Sequence, residues 1–398
     1  MTKRFGQLAA ALAALTCLTD ANEHPGTVAI EIAGPPVTAE ETGRSHLYLD
    51  PRAQYVRGGG RAQVFSMLGR EDLAAKIDEE YSASPCPALA ASASGEAEVL
   101  ARIVAAARKH RVVIINESHT LTRHRDFSRK VIAALRPHGF LVLAAETFSN
   151  RNDGPDPVET HADLPYIHGW DGHYSNEPVF AAMLREAKQL GYRFAAYEQV
   201  YDPSRAPPAE DHDWRADIRD RETEQAANFA ALIETLDPDE KLIVHVGYAH
   251  AREAVVIGDG WDHSWMAARL KRDHGIDPLT IAQTVCSGSA DTVRLAATPP
   301  PLEGHFDLLI DHPPAEFRHG RAAWRFEGGY EAVAIPEAFA SSAEPLVVEA
   351  FFAGEPFEAV PADRVWIEPG EAAKVKLALK PGSYTVRAVR PFRSQPAD

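Results

Sequence analysis

The stretch VVIINESH, from Val112 to His119, decides the class of fold. Its first four residues are apolar and β-branched, a run typical of a strand that is buried on both faces of a parallel sheet. The stretch then changes to polar residues, which include Glu117 and His119. Ligands of open parallel sheets bind beyond the carboxyl ends of the strands. The stretch therefore predicts a buried strand that ends at a functional edge.

Helices and short apolar strands alternate on both sides of this stretch. Helical periodicity spans residues 96–110, 125–137, 176–190, 213–236 and 265–274, and apolar runs lie at 140–145, 192–197, 242–246, 279–284 and 306–310. Three helices end directly before a strand in a glycine, which can take the left-handed conformation that closes a helix: Gly139, Gly191 and Gly275. This alternation predicts an α/β core over residues 96–328, with a mostly parallel sheet flanked by helices.

The chain beyond residue 328 has a different period. Residues 375–379 and 384–389 flank Pro381-Gly382 and read as two strands of a β-hairpin. Together with apolar runs at 346–352 and 365–367, they predict a small antiparallel β-sandwich over residues 329–398. Deletion of the chain beyond Glu331 is then expected to leave the α/β core folded. Residues 22–95 are mixed in pattern and form an N-terminal extension in this interpretation.

Composition limits the range of partners. The chain has 398 residues, 45% of them hydrophobic and 25% charged, as in an ordinary globular protein of more than one domain. Its formal net charge of −16 disfavours a nucleic-acid partner, because an acidic surface repels phosphates. Apolar runs fall short of the roughly 20 residues that cross a bilayer, so no transmembrane segment is predicted. A small-molecule or peptide substrate remains the expected partner.

The first residues resemble a secretory leader. Residues 2–4 form a small basic region through Lys3 and Arg4, and residues 8–18 are rich in Ala and Leu. Residues 19–21 place small residues at the two positions that a signal peptidase inspects. We therefore expect a signal peptide over residues 1–21 and a periplasmic or secreted protein. An amphipathic N-terminal helix is the alternative, in which case the protein is cytoplasmic. If the leader is removed and the compartment is oxidising, Cys86 and Cys286 could form one disulfide, and two unpaired thiols are the alternative.

Acidic and imidazole side chains follow four of the predicted strands. Glu117 and His119 follow the first, Glu146 the second, Glu198 the third and His250 the fourth. A neutral imidazole can take a proton from water near neutral pH, and a carboxylate can fix its tautomer. His119 and His250 are therefore predicted as base and acid. The same residue types could instead hold a divalent metal through His119, Glu146 and His250.

These motifs resemble those of a known superfamily. The segments Asn116-Glu117-Ser118-His119 and Gly247-Tyr248-Ala249-His250 are similar to its two Gly-x-x-His motifs, and Glu146 lies in Ala-Ala-Glu-Thr-Phe between them. A helix segment led by Arg221 completes the set. The superfamily comprises erythromycin esterases, ChaN-type haem-binding lipoproteins and TraB/TIKI proteins, and the resemblance covers residues 99–284.

The resemblance implies that one pocket is lined by Glu117, His119, Glu146, Arg221 and His250. An esterase-like member would activate water with histidine to cleave an ester, lactone or amide, whereas a TIKI-like member would use one divalent ion such as Mn, Co or Zn. Arg221 would stabilise an oxyanion, with an ion pair to Glu222 or Glu224 as its alternative.

Asn116 departs from the glycine that is usual in the motif. Asparagine tolerates the left-handed region better than other residues do, so we expect the turn to survive.

Two further interpretations of the function stay open. A ChaN-like protein would bind haem or iron without hydrolysis, with Tyr174 or Tyr248 as axial ligand. A degenerate scaffold would serve only protein contacts. Tyr174, Glu198 and Tyr248 are predicted to contact substrate. The Gly-rich loop from His168 to His173 is interpreted as facing substrate rather than as a metal ligand set.

Overall fold

The computed structural model describes residues 26–89, 95–151, 154–200, 213–258, 260–288 and 290–392. The predicted signal peptide lies outside the described residues. The strands are β1 (Val28–Ile32), β2 (Val37–Thr38), β3 (Val112–Glu117), β4 (Phe140–Ala145), β5 (Arg193–Ala195), β6 (Lys241–Gly247), β7 (Ile257–Gly258), β8 (Trp261–Asp262), β9 (Leu279–Ser287), β10 (Arg294–Ala296), β11 (Leu308–His312), β12 (Phe317–Arg318), β13 (Arg321–Ala322), β14 (Glu331–Ala334), β15 (Leu346–Phe352), β16 (Asp363–Ile367), β17 (Lys376–Leu379) and β18 (Gly382–Arg390). The α-helices are α1 (Gly58–Met67), α2 (Glu71–Ala74), α3 (Glu96–Ala107), α4 (Thr122–Leu135), α5 (Pro157–Thr160), α6 (Pro178–Gln189), α7 (Trp214–Glu234), α8 (Met266–His274) and α9 (Glu337–Ala340).

A seven-stranded sheet carries the functional edge. Its strand order is β10-β11-β9-β3-β6-β4-β5. All neighbours from β11 to β5 run parallel, and β10 joins the edge antiparallel to β11. Strand β3 therefore lies in the middle of the sheet, between β6 and β9. Because the strands are parallel, the residues after β3, β4 and β6 come together at one end of the sheet.

The two faces of this sheet explain why the first four residues of β3 are apolar. Val113 and Ile115 pack in a cluster with side chains from α3, α4 and α6. Val112 and Ile114 pack on the opposite face with side chains from α7 and α8. Helices thus cover both faces, as a sheet of parallel strands requires. The prediction of a mixed α/β protein is confirmed, and β4 has the predicted bounds.

The second main sheet differs from the predicted sandwich because it is built from both ends of the described chain. Its order is β1-β18-β15-β16, with β2 also paired to β18. Strands β1 and β2 run parallel to β18, whereas β15 is antiparallel to β16 and β18. The segment predicted as an N-terminal extension therefore contributes two strands to this mixed sheet. Alternation of apolar and polar residues shows which face of a strand is buried. It does not reveal a neighbouring strand that lies as far away in sequence as β1 and β2 lie from β18.

The predicted hairpin around Pro381-Gly382 is wrong. Strand β17 pairs with β14, and β18 pairs with β15, β1 and β2. The chain turns at Pro381-Gly382 but enters a different sheet. The partners of β18 lie far away in sequence and bury Val386 and Ala388 completely, which outweighs the local pairing that a short turn favours.

A buried cluster of charges binds the second sheet to the N-terminal segment. Glu349 on β15 accepts hydrogen bonds from Arg364 Nε at 2.7 Å and Arg387 Nε at 2.9 Å. The hydroxyl of Tyr48 lies 3.2 Å from both oxygens of Glu349 and accepts a 2.9 Å hydrogen bond from Arg387 Nη2. Tyr48 and Trp366 are fully buried and share one hydrophobic cluster. The segment before α3 therefore packs as part of this sheet.

One disulfide links the first hundred residues to the seven-stranded sheet. Cys86 is bonded to Cys286 in β9, across 200 residues of sequence. Of the two states left open by the sequence, the structure contains the bridged one. Among the residues described above, none of the helices has both the length and the apolar character that a membrane span requires.

Candidate active site

His119 is held by Glu117, the last residue of β3. Its Nδ1 lies 2.9 Å from Glu117 Oε1. Arg125 donates to both oxygens of Glu117, from Nε at 2.7 Å and from Nη2 at 2.8 Å. Burial by itself would raise the pKa of Glu117, but Arg125 and His245 outweigh it and hold the pKa far below 4.5. A permanent carboxylate therefore fixes the orientation of the His119 ring and places a proton on Nδ1.

Aromatic rings enclose the other side of His119. Tyr174 stacks on the imidazole with ring centroids 3.9 Å apart, and Tyr248 meets it edge-on at 4.8 Å. A Cβ built on Gly247 would lie 2.6 Å from His119 Nε2 and 3.0 Å from Glu146 Oε2. His119 Nε2 therefore lies close to the backbone at the end of β6 and near the carboxylate of Glu146.

Glu146 connects the ends of β4 and β6. Its Oε2 accepts a 2.6 Å hydrogen bond from the Gly247 amide, and its Oε1 accepts one from Arg221 Nη2 at 2.8 Å. His250 Nε2 lies 3.4 Å from the same Oε1. Burial raises the pKa of Glu146, but His250, Arg221 and His119 more than reverse this and leave the pKa well below its ordinary value. Glu146 is therefore a carboxylate that is already neutralised by cations.

His250 has a carboxylate at each ring nitrogen. Besides Glu146 at Nε2, Glu222 from α7 lies 2.9 Å from Nδ1 and also accepts the Met266 amide at 2.8 Å. Burial lowers the pKa of His250, but Glu146 and Glu222 outweigh it and raise the pKa to about 10. At neutral pH His250 is an imidazolium, which can stabilise negative charge or donate a proton but cannot act as a base.

Arg221 bridges two carboxylates, and neither is Glu222 or Glu224, the partners of the alternative interpretation. It pairs with Glu146 and, through Nε and Nη2, with Glu198. Glu222 turns instead to His250. Glu198 also accepts Gln225 Nε2 at 2.8 Å, so its first role here is to hold Arg221. Arg221 Nη1 has no hydrogen-bond partner within the described ranges and remains available as a donor at the site.

The expectation for Asn116 is wrong. Asn116 is the fifth residue of β3, and the left-handed non-glycine residues of the described chain are Tyr248 and His319. The Asn116 amide donates to the Tyr248 carbonyl at 2.6 Å and to Thr284 Oγ1 at 2.9 Å, and its oxygen accepts the Gln283 amide at 2.6 Å. Asn116 therefore ties β3 to β9 and stabilises the strained turn at Tyr248, where φ is +40°.

The predicted metal ligands do not fit a divalent ion in this arrangement. His250 has a carboxylate next to each of its ring nitrogens, and each oxygen of Glu146 already accepts a hydrogen bond. Among the described residues, the potential ligand atoms of His119, Glu146 and His250 do not all lie within 4.8 Å of one another, as the ligands of one metal ion would. Haem ligation fits no better, because the Tyr248 hydroxyl accepts the His119 amide at 3.2 Å and the Tyr174 ring lies flat on His119.

The sequence interpretation missed two residues that hold the histidines. Arg125 was expected only as the start of a helix, yet it holds Glu117. Glu222 begins a row of buried α7 residues with Ala226, Phe229 and Ile233. An acidic residue in line with a buried apolar row of a helix is a signal that sequence inspection could have used, because buried carboxylates need a partner.

Neither a family model nor a curated protein matches the sequence. Partial structural likeness exists to RRSP, a MARTX toxin effector domain from Vibrio vulnificus, with 17% identity and a TM-score of 0.32 over 46% of this chain and 35% of that one. The type III effector HopBA1 has 15% sequence identity and a TM-score of 0.34, over 58% of this chain and 99% of that one. A third likeness is to the C-terminal region of Pasteurella multocida toxin, which is described as having a thiol-protease like catalytic triad. It has 16% sequence identity and a TM-score of 0.32, over 56% of this chain and 30% of that one. The match to the first of these spans about a third of its length, and at these TM-scores the likenesses carry no conclusion about activity.

Proposed function

We propose that this protein is a hydrolase of an ester, lactone or amide bond, in which His119 acts directly on water. The observation that carries the proposal is the orientation of the His119 ring. Its Nδ1 is bound to a permanent carboxylate, and its Nε2 lies close to Gly247 at the edge of the ion pairs around Glu146. The motif resemblance to erythromycin esterases favours the same chemistry.

The proposed reaction begins with water bound near His119 Nε2. Nε2 takes a proton as the water oxygen attacks the carbonyl carbon, and the carbonyl electron pair moves onto oxygen. Glu117 stabilises the imidazolium that forms on His119. When the tetrahedral intermediate collapses, the bond to the leaving alcohol or amine breaks, and the proton on His119 passes to that group.

In this proposal His250 and Arg221 supply positive charge that stabilises the oxyanion. His250 is protonated at neutral pH, and Arg221 has a donor that is not used by its two carboxylates. Fixed positive charge at the point where negative charge develops is usually the largest single contribution to catalysis of this kind. Glu146 and Glu198 hold the two cations in place and are positioning residues in this proposal.

An apolar cavity of about 470 Å³ adjoins the site at Glu222. Its walls include Trp214, Trp261 and Trp265, and the Trp265 ring packs edge-on against His250 at 5.3 Å. A cavity walled by indole rings favours an apolar or aromatic group. We therefore propose substrates that carry such a group next to the scissile bond.

The proposal is tested with a panel of aromatic and aliphatic esters, lactones and amides. We expect His119→Gln to lower kcat/KM by at least about a hundredfold with little change in Tm, because removal of a general base has that effect. His274, exposed at the end of α8, provides the control, and His274→Gln should retain full activity. Turnover should survive chelators. Full activity in His119→Gln would exclude this role, and loss of turnover with EDTA would favour a metal mechanism.

A further inference from the structure

A second cluster of titratable groups lies in the segment between β4 and α6. His161 directly follows α5, and His168 and Asp171 lie in the Gly-rich loop. Among the described residues, these three form the one group of three His, Cys, Asp or Glu whose potential ligand atoms all lie within 4.8 Å of one another. None of the three belongs to the catalytic arrangement proposed above.

The geometry of the cluster is set by Asp171. Its Oδ1 lies 2.6 Å from His161 Nδ1, and its Oδ2 accepts the backbone amide of His168 at 3.0 Å. The two imidazole rings have centroids 4.0 Å apart. The Asp171 side chain is 3% exposed and that of His161 is 19% exposed. A carboxylate that is buried beneath two partly exposed imidazoles leaves a path for a cation from solvent.

The loop is fixed independently of any ligand. The Asn176 amide donates to the carbonyl oxygens of Gly169 at 2.9 Å and Gly172 at 2.7 Å. The Gly169 amide donates to the Glu358 carbonyl at 2.9 Å, which docks the loop on the C-terminal part of the chain. Lys188 Nζ donates to the carbonyls of His161, Leu164 and Tyr166. The three side chains are therefore held together by their backbone, as a preformed site requires.

We propose that His161, His168 and Asp171 form a binding site for a divalent transition metal ion, with zinc as the ion that fits best. Two imidazole nitrogens and one carboxylate oxygen are typical zinc ligands, and water would complete a tetrahedron. Calcium and magnesium prefer oxygen ligands and more than one carboxylate. Bound at Nδ1 of His168, the ion would replace the weak 3.2 Å hydrogen bond from the Trp170 amide.

The position of this site links it to the rest of the molecule. Asp171 is followed within three residues by Tyr174, which stacks on His119. A Cβ on Gly172 would lie 2.0 Å from the Thr147 carbonyl oxygen, and Thr147 Oγ1 accepts the Tyr174 amide at 2.7 Å. Metal binding would therefore reinforce a loop that already places Tyr174. The binding site itself does not depend on the proposed hydrolase function.

The test uses the full chain, stripped of metal by a chelator and titrated with Zn²⁺ alone by calorimetry. We expect one Zn²⁺ per chain and a rise in Tm of about 3 °C at saturation, because an ion that binds only the folded state stabilises it. His161→Gln and His168→Gln should each weaken binding at least about tenfold. His119→Gln and His274→Gln serve as matched controls and should bind Zn²⁺ as the wild type does.

A second measurement does not depend on any variant. X-ray absorption of the wild-type zinc complex should show two imidazole nitrogens together with oxygen ligands. Absence of stoichiometric binding by the wild type would overturn the proposal, as would undiminished binding in His161→Gln and His168→Gln. Binding that is lost in His119→Gln but kept in His161→Gln would place the ion in the catalytic centre instead and would equally reject this site.

Discussion

At the scale of single residues, His250 is the group whose charge the fold determines most strongly. Its pKa of about 10 lies above the ordinary 6.5, so its contribution to stability is fully present below about pH 6.5 and is lost as pH rises through 10. For Glu146 the sign is opposite, since its pKa is lowered and its contribution is lost only in acid. We therefore expect stability to fall between pH 7 and 10.

Urea unfolding of the wild type and His250→Gln between pH 6 and 10 measures this dependence. The variant leaves Glu146 and Glu222 facing each other without the cation, which should cost on the order of 3 kcal/mol at pH 7. That difference should shrink as pH approaches 10. His274→Gln replaces an exposed imidazole, and its stability should depend on pH as that of the wild type does. An unchanged pH slope in His250→Gln would show that His250 is neutral in the folded protein.

Residue types at strand ends were readable from the sequence, but their partners were not. Glu117, His119, Glu146 and His250 follow strands in an order that any parallel sheet would bring to one edge. Asn116 was read as a tolerated departure from glycine, and its actual role arises from the distant Thr284 and Gln283. Such bonds depend on which strands are neighbours, which no local pattern encodes.

At the scale of elements, the turn that follows β6 controls how closely the site packs. A Cβ added to Gly247 would lie 2.5 Å from His119 Cε1 and 2.6 Å from Nε2. We expect Gly247→Ala to displace His119, to lower kcat/KM by at least about a hundredfold and to cost about 1–3 kcal/mol of stability. Activity assays and thermal melts of the same preparation measure both effects.

Gly59 in α1 provides a control for that substitution. Nothing lies within 4 Å of a Cβ there, so Gly59→Ala should change activity and stability little. If Gly247→Ala kept full activity, the His119 ring could not be confined as described. The sequence predicted the bounds of individual strands, since β4 and β15 have the predicted bounds. The predicted pairing of β17 with β18 was wrong, because strand pairing depends on residues that are distant in sequence.

Across the whole molecule, buried ion pairs connect the second sheet to the candidate active site. Asp363 on β16 accepts hydrogen bonds from Arg321 at 2.7 and 2.9 Å and from Arg325 at 2.6 Å. Arg325 lies 3.5 Å from Glu177, the N-cap of α6, and Glu177 accepts a hydrogen bond from Arg125 at 3.2 Å. Since Arg125 holds Glu117, the second sheet supports the residue that orients His119.

Because of this network, we expect that the chain beyond Glu331 cannot be removed without loss of stability. Deletion would strip Arg321 and Arg325 of Asp363 and would leave two buried guanidinium groups with too few carboxylates. Asp363→Asn tests the same dependence without truncation. Because one partner of a fully buried group of charges is removed, we expect it to lower the free energy of unfolding by about 3–5 kcal/mol.

Glu344 provides the control, since its 3.5 Å ion pair with Arg390 is largely exposed. Glu344→Gln should change stability by less than about 0.5 kcal/mol. In Asp363→Asn, loss of near-ultraviolet circular dichroism and loss of activity should coincide in one transition at lower temperature, because the same ion pairs support both sheets. A truncated chain ending at Glu331 that melts cooperatively and retains turnover would contradict this coupling and would show that the second sheet is separable.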